Sequence, residues 1–339
     1  MKKMIIMVLC LILTTTSVNA TEFIAKNYII LNADTKQVLE GKNIHQTQSV
    51  ASISKIMTAI LAIENCPLNQ EIVVNESIKK AYGSAIYIHI GDTITMQDLL
   101  YGLMLRSGND AALAIADYVG GDIDHFVEMM NTKAKALKMT NTVFSNPSGL
   151  DEEDAGNISS VYDMALLMSY CISNPTFVEI SGTKQYKRLD GNGSWSNKNK
   201  LLYNYEYTIA GKTGFTKKAK RTLINAAKKD DISLVAVTFN CGDDFAFHEN
   251  LFKTYFEQFE QIKLFTKGVN VIDHYLFKLD KDLTFPIQKQ SKAPISYEVS
   301  NQHIEIFYGE KSLGQYPYQY IKLPFVYKLL KTIKRFIYE

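Results

Sequence analysis

Cysteine is scarce in this chain of 339 residues, which contains only four. Cys10 lies in an N-terminal apolar run, and Cys66, Cys171 and Cys241 share no repeated spacing, so neither a disulfide framework nor a zinc site is indicated. We predict that these three are small core residues, with one disulfide left open. The motifs G-x-S-x-G and H-E-x-x-H are also absent, which disfavours a Ser-His-Asp hydrolase and a metallopeptidase.

The sequence lacks an excess of either charge. Once the lysines at positions 2 and 3 are set aside, 35 basic side chains face 35 acidic ones. No global basic field exists to hold nucleic acid, and we expect no nucleic-acid partner. With 46% hydrophobic and 21% charged residues, the composition is that of a globular protein long enough for two domains.

No apolar run at the N-terminus is long enough to span a bilayer. Lys2 and Lys3 precede ten apolar residues, 4–13, and small or polar residues follow up to Ala20. This order is typical of a cleavable secretory signal over residues 1–20, and it predicts an exported protein. A buried N-terminal helix is the alternative. A lipoprotein site at Cys10 is rejected, because no small residues precede it.

The apolar spacing changes character twice along the chain. Residues 28–43 predict a hairpin, and strand character returns at 221–228 and 232–239, with a helix predicted at 246–263. From about 52 to 180 the spacing is helical, with Thr95 and either Asn109 or Asp110 as predicted N-caps. We infer one α/β domain, 21–265, whose terminal strands share a sheet and whose helices form an inserted lobe.

The C-terminal part has a different texture. Residues 270–321 contain short alternating runs that predict a small all-β domain. Residues 322–339 place apolar side chains on one side of a helical wheel and four basic ones on the other. We favour an in-plane membrane anchor over a helix docked on the β-domain, because the basic side suits an anionic surface.

Ser52 and Lys55 are the first candidate catalytic residues. A spacing of three places both side chains on one face of a helix, close enough to touch. A serine hydroxyl needs a base to become a nucleophile, and lysine is a base only if burial or a second cation lowers its pKa. A capped helix with a surface lysine is the competing interpretation of this pair alone.

Two further segments carry polar residues that suit the same chemistry. In the segment 106–110, Ser107 is placed to relay a proton and Asn109 to hold a substrate amide. In the segment 211–214, Lys212 supplies a second cation, and it and Thr213 are placed to attract a substrate carboxylate. Gly214 has no side chain and lets substrate lie along a strand edge. Taken singly, a helix-capping loop and a β-turn are competing interpretations.

The order S-x-x-K, S-G-N, K-T-G resembles that of the penicillin-recognising serine enzymes. S-G-N in place of S-D-N is similar to the low-molecular-mass serine D-alanyl-D-alanine carboxypeptidases of peptidase family S11. The resemblance continues through five further segments and covers about residues 25–265, the remainder fitting more loosely. It implies a β-lactamase/transpeptidase-like fold. The further segments are residues 28–43, 83–121, 146–151, 197–202 and 211–227.

The resemblance also implies a mechanism. Ser52 would form an acyl-enzyme with a peptidoglycan stem peptide ending in D-Ala-D-Ala, with Lys55 as general base. Ser107 with Lys212 would pass a proton to the leaving D-alanine. Backbone N–H groups of Ser52 and Phe215 would form the oxyanion hole. β-Lactams would acylate Ser52 as inhibitors, and we expect no cofactor or metal.

Departures and alternatives stay open at this point. Val50, Ser148, Phe215 and Lys220 each differ from the residue that is frequent in the family, but none is a proposed catalytic side chain. A DD-endopeptidase acting on cross-links is the nearest variant. A β-lactamase with an acid in the segment 152–153, and a non-catalytic wall-binding scaffold, are less favoured.

Overall fold

The computed structural model describes residues 25–151, 156–230, 232–289, 294–300 and 302–321. The predicted secretory signal, the predicted anchor at 322–339 and the pair Glu152–Glu153 lie outside these residues. The helices are α1 Lys55–Asn65, α2 Met96–Tyr101, α3 Asn109–Gly120, α4 Ile123–Ala136, α5 Val161–Cys171, α6 Pro175–Gly182, α7 Leu201–Asn204 and α8 Asp244–Gln258. The strands up to Cys241 are β1 Ala25–Asn32, β2 Val38–Lys42, β3 Gln48–Ser49, β4 Glu71–Val73, β5 Thr93–Thr95, β6 Ile158–Ser159, β7 Gln185–Lys187, β8 Ser194–Ser196, β9 Thr208–Thr216, β10 Lys220–Lys229 and β11 Ile232–Cys241. Those that follow are β12 Phe259–Phe265, β13 Gly268–Ile272, β14 Tyr275–Leu279, β15 Leu283–Gln288, β16 Ile295–Val299, β17 His303–Tyr308 and β18 Lys311–Tyr320.

One antiparallel sheet joins the two ends of residues 25–241. Its strand order is β2-β1-β11-β10-β9, and β1 pairs with β11 from Ala25↔Cys241 to Asn32↔Leu234. The hairpin predicted at 28–43 and both predicted strands near 221–239 are confirmed as β1–β2, β10 and β11. β9 is an edge strand, so its outer side is available to a further extended chain.

The sheet is covered on both faces, as its sequence alternation requires. On β1, Ile29 and Leu31 enter the core shared with the helical lobe, whereas Ile30 points to the other face and packs with Phe252 of α8. α5 packs against β1, β10 and β11 from the lobe side. The result is the α/β arrangement predicted from the sequence, a shared sheet with an inserted helical lobe.

The helical lobe comprises α1 to α6 and holds most of the larger core. Cys66 and Cys171 are buried in this core and Cys241 in the core under α8, and all three are free thiols, as predicted for small core residues. Within the described residues, no helix is long and apolar enough to cross a membrane. Thr95 accepts a hydrogen bond from the backbone N–H of Asp98, which confirms it as the N-cap of α2.

Two local predictions are wrong. The helix predicted at 246–263 ends at Gln258, because the next seven residues form β12 and take their backbone hydrogen bonds from β15. Asn109 and Asp110 do not cap α3: the N-cap is Gly108, and Asp110 turns its carboxylate to a neighbouring loop instead. In both cases a distant segment supplies partners that local sequence does not reveal.

The residues after α8 form strands with a small core of their own. A five-stranded sheet has the order β13-β14-β18-β17-β16, and β12 pairs with β15. The core includes Phe277, Leu279, Ile304 and Ile306. These strands agree with the predicted β-rich texture, and the domain boundaries at 265 and 270 stay predictions.

The buried ring of His248 in α8 leads us to expect that the protein loses stability in acid. Its ring is buried between Asn225 Nδ2 and Thr238 Oγ1, each at 3.0 Å, and burial lowers its pKa from 6.5 to about 3. The unfolded chain therefore binds a proton that the folded chain refuses, so stability is full above pH 6.5 and falls as pH drops towards 3. We expect a loss of about 2 kcal/mol between pH 7.5 and pH 5 from this group.

Urea unfolding at the two pH values measures this loss. His248→Gln keeps hydrogen-bonding groups but does not titrate, so its stability should change less over the same interval by about that amount. An equal pH dependence in both proteins would contradict the prediction.

Candidate active site

Ser52 sits at the junction of the sheet and the helical lobe. It belongs to a short 3-10 helix, Ala51–Ser54, that runs directly into α1. Ala51 has a φ of +52°, in the left-handed region that non-glycine residues rarely adopt. Backbone strain of this kind is held in place by neighbours, here by Thr222 Oγ1, which donates to Val50 O at 2.9 Å.

Lys55 is fully buried beside Ser52. Its Nζ donates to Ser52 Oγ at 3.0 Å, to Asn109 Oδ1 at 2.7 Å and to the carbonyl of Ser148. Burial, followed by the charges of Lys212 and Lys198, holds the pKa of Lys55 well below its usual value. The predicted contact between serine and lysine is present, and the amine is in surroundings that favour its neutral, basic form.

Lys212 and Ser107 form a second lysine–serine pair. Lys212 Nζ donates to Ser107 Oγ at 3.1 Å and to Thr213 O at 2.8 Å. Burial, together with the charge of Lys198, lowers the pKa of Lys212 from 10.5 to about 7, so this amine exchanges its proton near neutral pH. Ser107 has a φ of +66° and ends the helical turn before α3, which directs its hydroxyl at the β9 strand.

The K-T-G segment lies within the edge strand β9, not in a turn. Gly214 faces Ser52 closely: a Cβ atom there would lie 2.4 Å from Thr222 Oγ1, 3.0 Å from the Ser52 backbone N and 3.2 Å from Ala51 Cβ. Only glycine allows this approach. Thr213 is half-buried in the strand, and the side chain of Phe215 is 65% exposed at the mouth of the site.

Asn109 is buried, and its carboxamide already has partners. Its Oδ1 accepts from Lys55 Nζ, and its Nδ2 donates to the carbonyl of Tyr82 at 2.5 Å. The structure therefore joins Ser52, Lys55 and Asn109 by hydrogen bonds. Ser107 and Lys212 form a second hydrogen-bonded pair, close enough for the charge of Lys212 to act on Lys55. The role predicted for Asn109, holding a substrate amide, stays a prediction.

The sequence interpretation gave no role to several residues that complete this site. Ser148 contributes a carbonyl to Lys55, and Gly149, at φ +77°, has no room for a Cβ atom because Ala51 O would lie 2.0 Å away. The only sequence sign of this contact was the N-P-S-G-L segment, 146–150. Tyr82 also lies at the site. Its carbonyl accepts from Asn109 Nδ2, and its hydroxyl donates to Asp151 O at 3.1 Å.

The buried carboxylate of Asp110 fixes the loop that faces the site. We therefore expect its replacement to lower the stability of the fold. Its carboxylate, 4% exposed, accepts backbone N–H groups of Ile86, Tyr87 and Ala111 at 2.8 to 3.0 Å. In Asp110→Asn the charge is lost and an NH₂ group replaces one acceptor. We expect the free energy of unfolding to fall by about 2–4 kcal/mol, since each hydrogen bond to a charged group contributes about 1.5–3 kcal/mol.

Urea unfolding checks this value against a matched control, Asp92→Asn. Asp92 is an exposed carboxylate of the same loop that accepts a backbone N–H from His89. Its loss should cost no more than about 1 kcal/mol. Equal effects of the two substitutions would overturn the role given to Asp110.

The geometry defines a site that suits a covalent reaction on a serine. A hydroxyl contacts an amine with a lowered pKa, and a second such amine reaches a second hydroxyl. Such a set can remove a proton from one hydroxyl and deliver a proton elsewhere without a metal ion. Among the described residues, no cluster of three or more His, Cys, Asp or Glu side chains is placed to hold a metal.

Comparison with known proteins identifies the family. The family model described as D-alanyl-D-alanine carboxypeptidase, peptidase family S11, matches residues 14–242. The chain belongs to this family. The D-alanyl-D-alanine carboxypeptidase DacF of Bacillus subtilis is 34% identical over 226 residues, an alignment that spans 64% of this chain and 58% of DacF.

Solved structures support the same fold. Penicillin binding protein 6B from Escherichia coli is similar with a TM-score of 0.71 and 25% identity, covering 89% of this chain and 97% of that one. Penicillin binding protein 5 from Haemophilus influenzae, at 22% identity and a TM-score of 0.77, covers 90% and 98% and bears on the fold alone. Both alignments extend well beyond the residues of the family match.

Proposed function

We propose that the protein is a serine D-alanyl-D-alanine carboxypeptidase that removes the terminal D-alanine from peptidoglycan stem pentapeptides. The observation that carries the proposal is the contact between Ser52 Oγ and the buried Lys55 Nζ, next to the contact between Lys212 Nζ and Ser107 Oγ. Family membership supports the substrate class. No cofactor is required for the chemistry these groups perform.

Acylation begins at Ser52. Its Oγ attacks the carbonyl carbon between the two D-alanines while neutral Lys55 takes the hydroxyl proton. Backbone N–H groups of Ser52 and Phe215 hold the oxyanion, and the close approach of Gly214 to the Ser52 backbone supports this placement. The carbon–nitrogen bond then breaks, and Lys212, through Ser107, gives a proton to the leaving amine.

Deacylation returns the enzyme to its starting state. Water attacks the acyl carbon and gives a proton, through Ser107, to the now neutral Lys212. The bond to Ser52 Oγ then breaks, and Ser52 recovers a proton from Lys55. Lys212 and Thr213 attract the substrate carboxylate, and Asn109 lines the substrate backbone as well as holding Lys55. A β-lactam acylates Ser52 by the same first step and leaves slowly, which makes it an inhibitor.

The protein is exported and then held at a membrane surface. Residues 1–20 act as a cleavable secretory signal, and residues 322–339 hold the protein on the extracytoplasmic face of the cell membrane as a peripheral protein. We expect deletion of 322–339 to move the protein from the membrane fraction to the soluble one, because the apolar and basic sides of that segment are lost together. Sedimentation of the shortened protein with membranes would contradict the anchor.

The test of the activity uses the full-length chain with a labelled penicillin and with a peptide ending in D-Ala-D-Ala. We expect a stable adduct that maps to Ser52 and a release of D-alanine. Loss of the label with hydrolysed penicillin would indicate a β-lactamase. Absence of both the adduct and D-alanine release would favour a non-catalytic wall-binding scaffold. A cross-linked peptide dimer, cleaved faster than the pentapeptide, would favour the endopeptidase.

A further inference from the structure

Asp151 joins two of the segments that supply the catalytic groups. Its Oδ1 accepts the hydroxyl of Ser49 at 2.5 Å, and its Oδ2 accepts the hydroxyl of Thr216. Ser49 lies three residues before Ser52, and Thr216 is the last residue of β9, directly after Phe215. The proton transfers of acylation and deacylation make no use of this carboxylate.

Three connections hold the end of β9 and the residues after it against β3 and the nucleophile. Gln48 Nε2 donates to Ala219 O at 3.2 Å, and Thr222 Oγ1 donates to Val50 O at 2.9 Å. These two attach to the turn and to β10. The third passes through the carboxylate of Asp151 and attaches to β9 itself, one residue from a proposed oxyanion donor.

A carboxylate suits this connection better than a neutral group. A charged acceptor makes shorter and stronger hydrogen bonds with hydroxyls, and the 2.5 Å contact with Ser49 lies in the range for such bonds. Both partners are fixed: Ser49 is 3% exposed in the pairing of β3 with β6, and Thr216 Oγ1 accepts the backbone N–H of Ala219 at 2.9 Å. Asp151 is held as well, because its carbonyl accepts the Tyr82 hydroxyl at 3.1 Å.

The proposed oxyanion hole spans the same two segments. One donor, the N–H of Ser52, follows β3, and the other, the N–H of Phe215, belongs to β9. Neither backbone alone therefore sets the distance between the two donors. Donors act best about 2.7–3.1 Å from the oxyanion, so a small separation of the segments weakens stabilisation of the transition state. The bound substrate has no oxyanion yet, and its binding should change little.

We infer that Asp151 is a positioning residue that holds β9 at the separation from Ser52 at which the oxyanion hole is complete. It acts through Ser49 and Thr216 and does not itself touch the reacting atoms. The inference rests on the proposed carboxypeptidase function and adds to it a residue that governs the rate of acylation rather than substrate binding.

Asp151→Asn tests the inference on the full-length chain. The amide keeps one accepting oxygen, but its NH₂ group cannot accept a hydroxyl proton, so one of the two contacts is lost. We expect the rate constant of acylation at saturating labelled penicillin to fall about 10- to 100-fold. The dissociation constant of the complex that precedes acylation should change by no more than about threefold. Stopped-flow measurement over a range of penicillin concentrations separates the two quantities.

A double variant asks whether the two contacts act as one unit. Thr216→Val removes one hydroxyl and should slow acylation by a similar factor. Combined with Asp151→Asn it should add no more than about threefold, because both changes break the same connection. Ser49→Ala breaks the connection from its other end and should slow acylation even if Asp151→Asn gives too little folded protein to measure. A double loss equal to the product of the single losses would overturn the inference.

Asp163→Asn is the matched control for stability. The carboxylate of Asp163 is buried and also accepts a hydroxyl and a backbone N–H, from Thr142 and Asn141, each at 2.7 Å. Both partners lie between α4 and β6, outside the Ser52 segment and β9. This variant should lower the Tm, while its folded molecules acylate within about twofold of the unaltered rate.

Two results would contradict the role of Asp151. One is an acylation rate of Asp151→Asn within threefold of the unaltered protein, and the other is an equal slowing in Asp163→Asn. An unaltered protein that forms no penicillin adduct and releases no D-alanine would instead refute the proposed function.

Discussion

Ser52→Ala is expected to abolish the penicillin adduct and D-alanine release, and Lys55→Met to slow both by about 10²- to 10⁴-fold. The two side chains touch at 3.0 Å and act in one proton transfer, so each is of little use without the other. We therefore expect the double variant to release D-alanine no more slowly than Ser52→Ala alone. Initial rates of release and of adduct formation, measured on the three variants, give the comparison.

Two controls make this result specific to the base. Lys55→Arg keeps a positive charge and several donors but cannot lose its proton, so it should be as impaired as Lys55→Met. Lys80→Met removes an exposed lysine of the same lobe and should stay within twofold of the unaltered protein. If Lys55→Arg were fully active, Lys55 would be a fixed cation, and the assignment of a general base would be wrong.

Gly214→Ala is the second large effect that we expect. The added Cβ would lie 3.0 Å from the Ser52 backbone N and 2.4 Å from Thr222 Oγ1, so β9 or the Ser52 segment must move apart. Loss of one oxyanion donor costs about 10²- to 10³-fold in rate. The rate of acylation by a labelled penicillin should fall by at least 100-fold, and stopped-flow measurement of that rate is the check.

A double variant separates chemistry from stability. Thr222→Ala removes the atom nearest to the added Cβ, so Gly214→Ala with Thr222→Ala should recover part of any loss in Tm. The acylation rate should stay low, because the contact with the Ser52 backbone persists. Gly242→Ala, where no atom lies within 4 Å of the added Cβ, is the control. Acylation by Gly214→Ala within threefold of the unaltered rate would refute the placement of the oxyanion hole.

The motifs located most of the catalytic groups, because each motif is local. The three-residue spacing of Ser52 and Lys55 predicts their contact, and alternating apolar residues predict β1, β10 and β11. The identity of β9 as an edge strand was anticipated only through the missing side chain at Gly214. Resemblance to a family, not composition, joined the motifs into one site.

What the sequence did not reveal depends on distant partners. Ser148 acts through its carbonyl, which any residue has, so side-chain chemistry gives no sign of its contact with Lys55. Asp110 looked like a helix cap, since its partners are backbone groups of a loop more than 20 residues earlier. β12 looked helical because its pairing with β15 is not visible in its own spacing.

The pairing of β1 with β11 has a consequence for how the protein matures. Ala25 meets Cys241, so the central sheet is incomplete until more than 200 residues of intervening chain have been made and released. Contacts of such long sequence separation form late, because loop closure costs entropy before the pairing compensates for it. Ser52, Ser107 and Lys212 come from three separate parts of that chain and meet only where the helical lobe packs on the finished sheet. We therefore expect a penicillin adduct on Ser52 to report on conformation: it should mark only molecules that have completed folding and leave the newly made chain unlabelled.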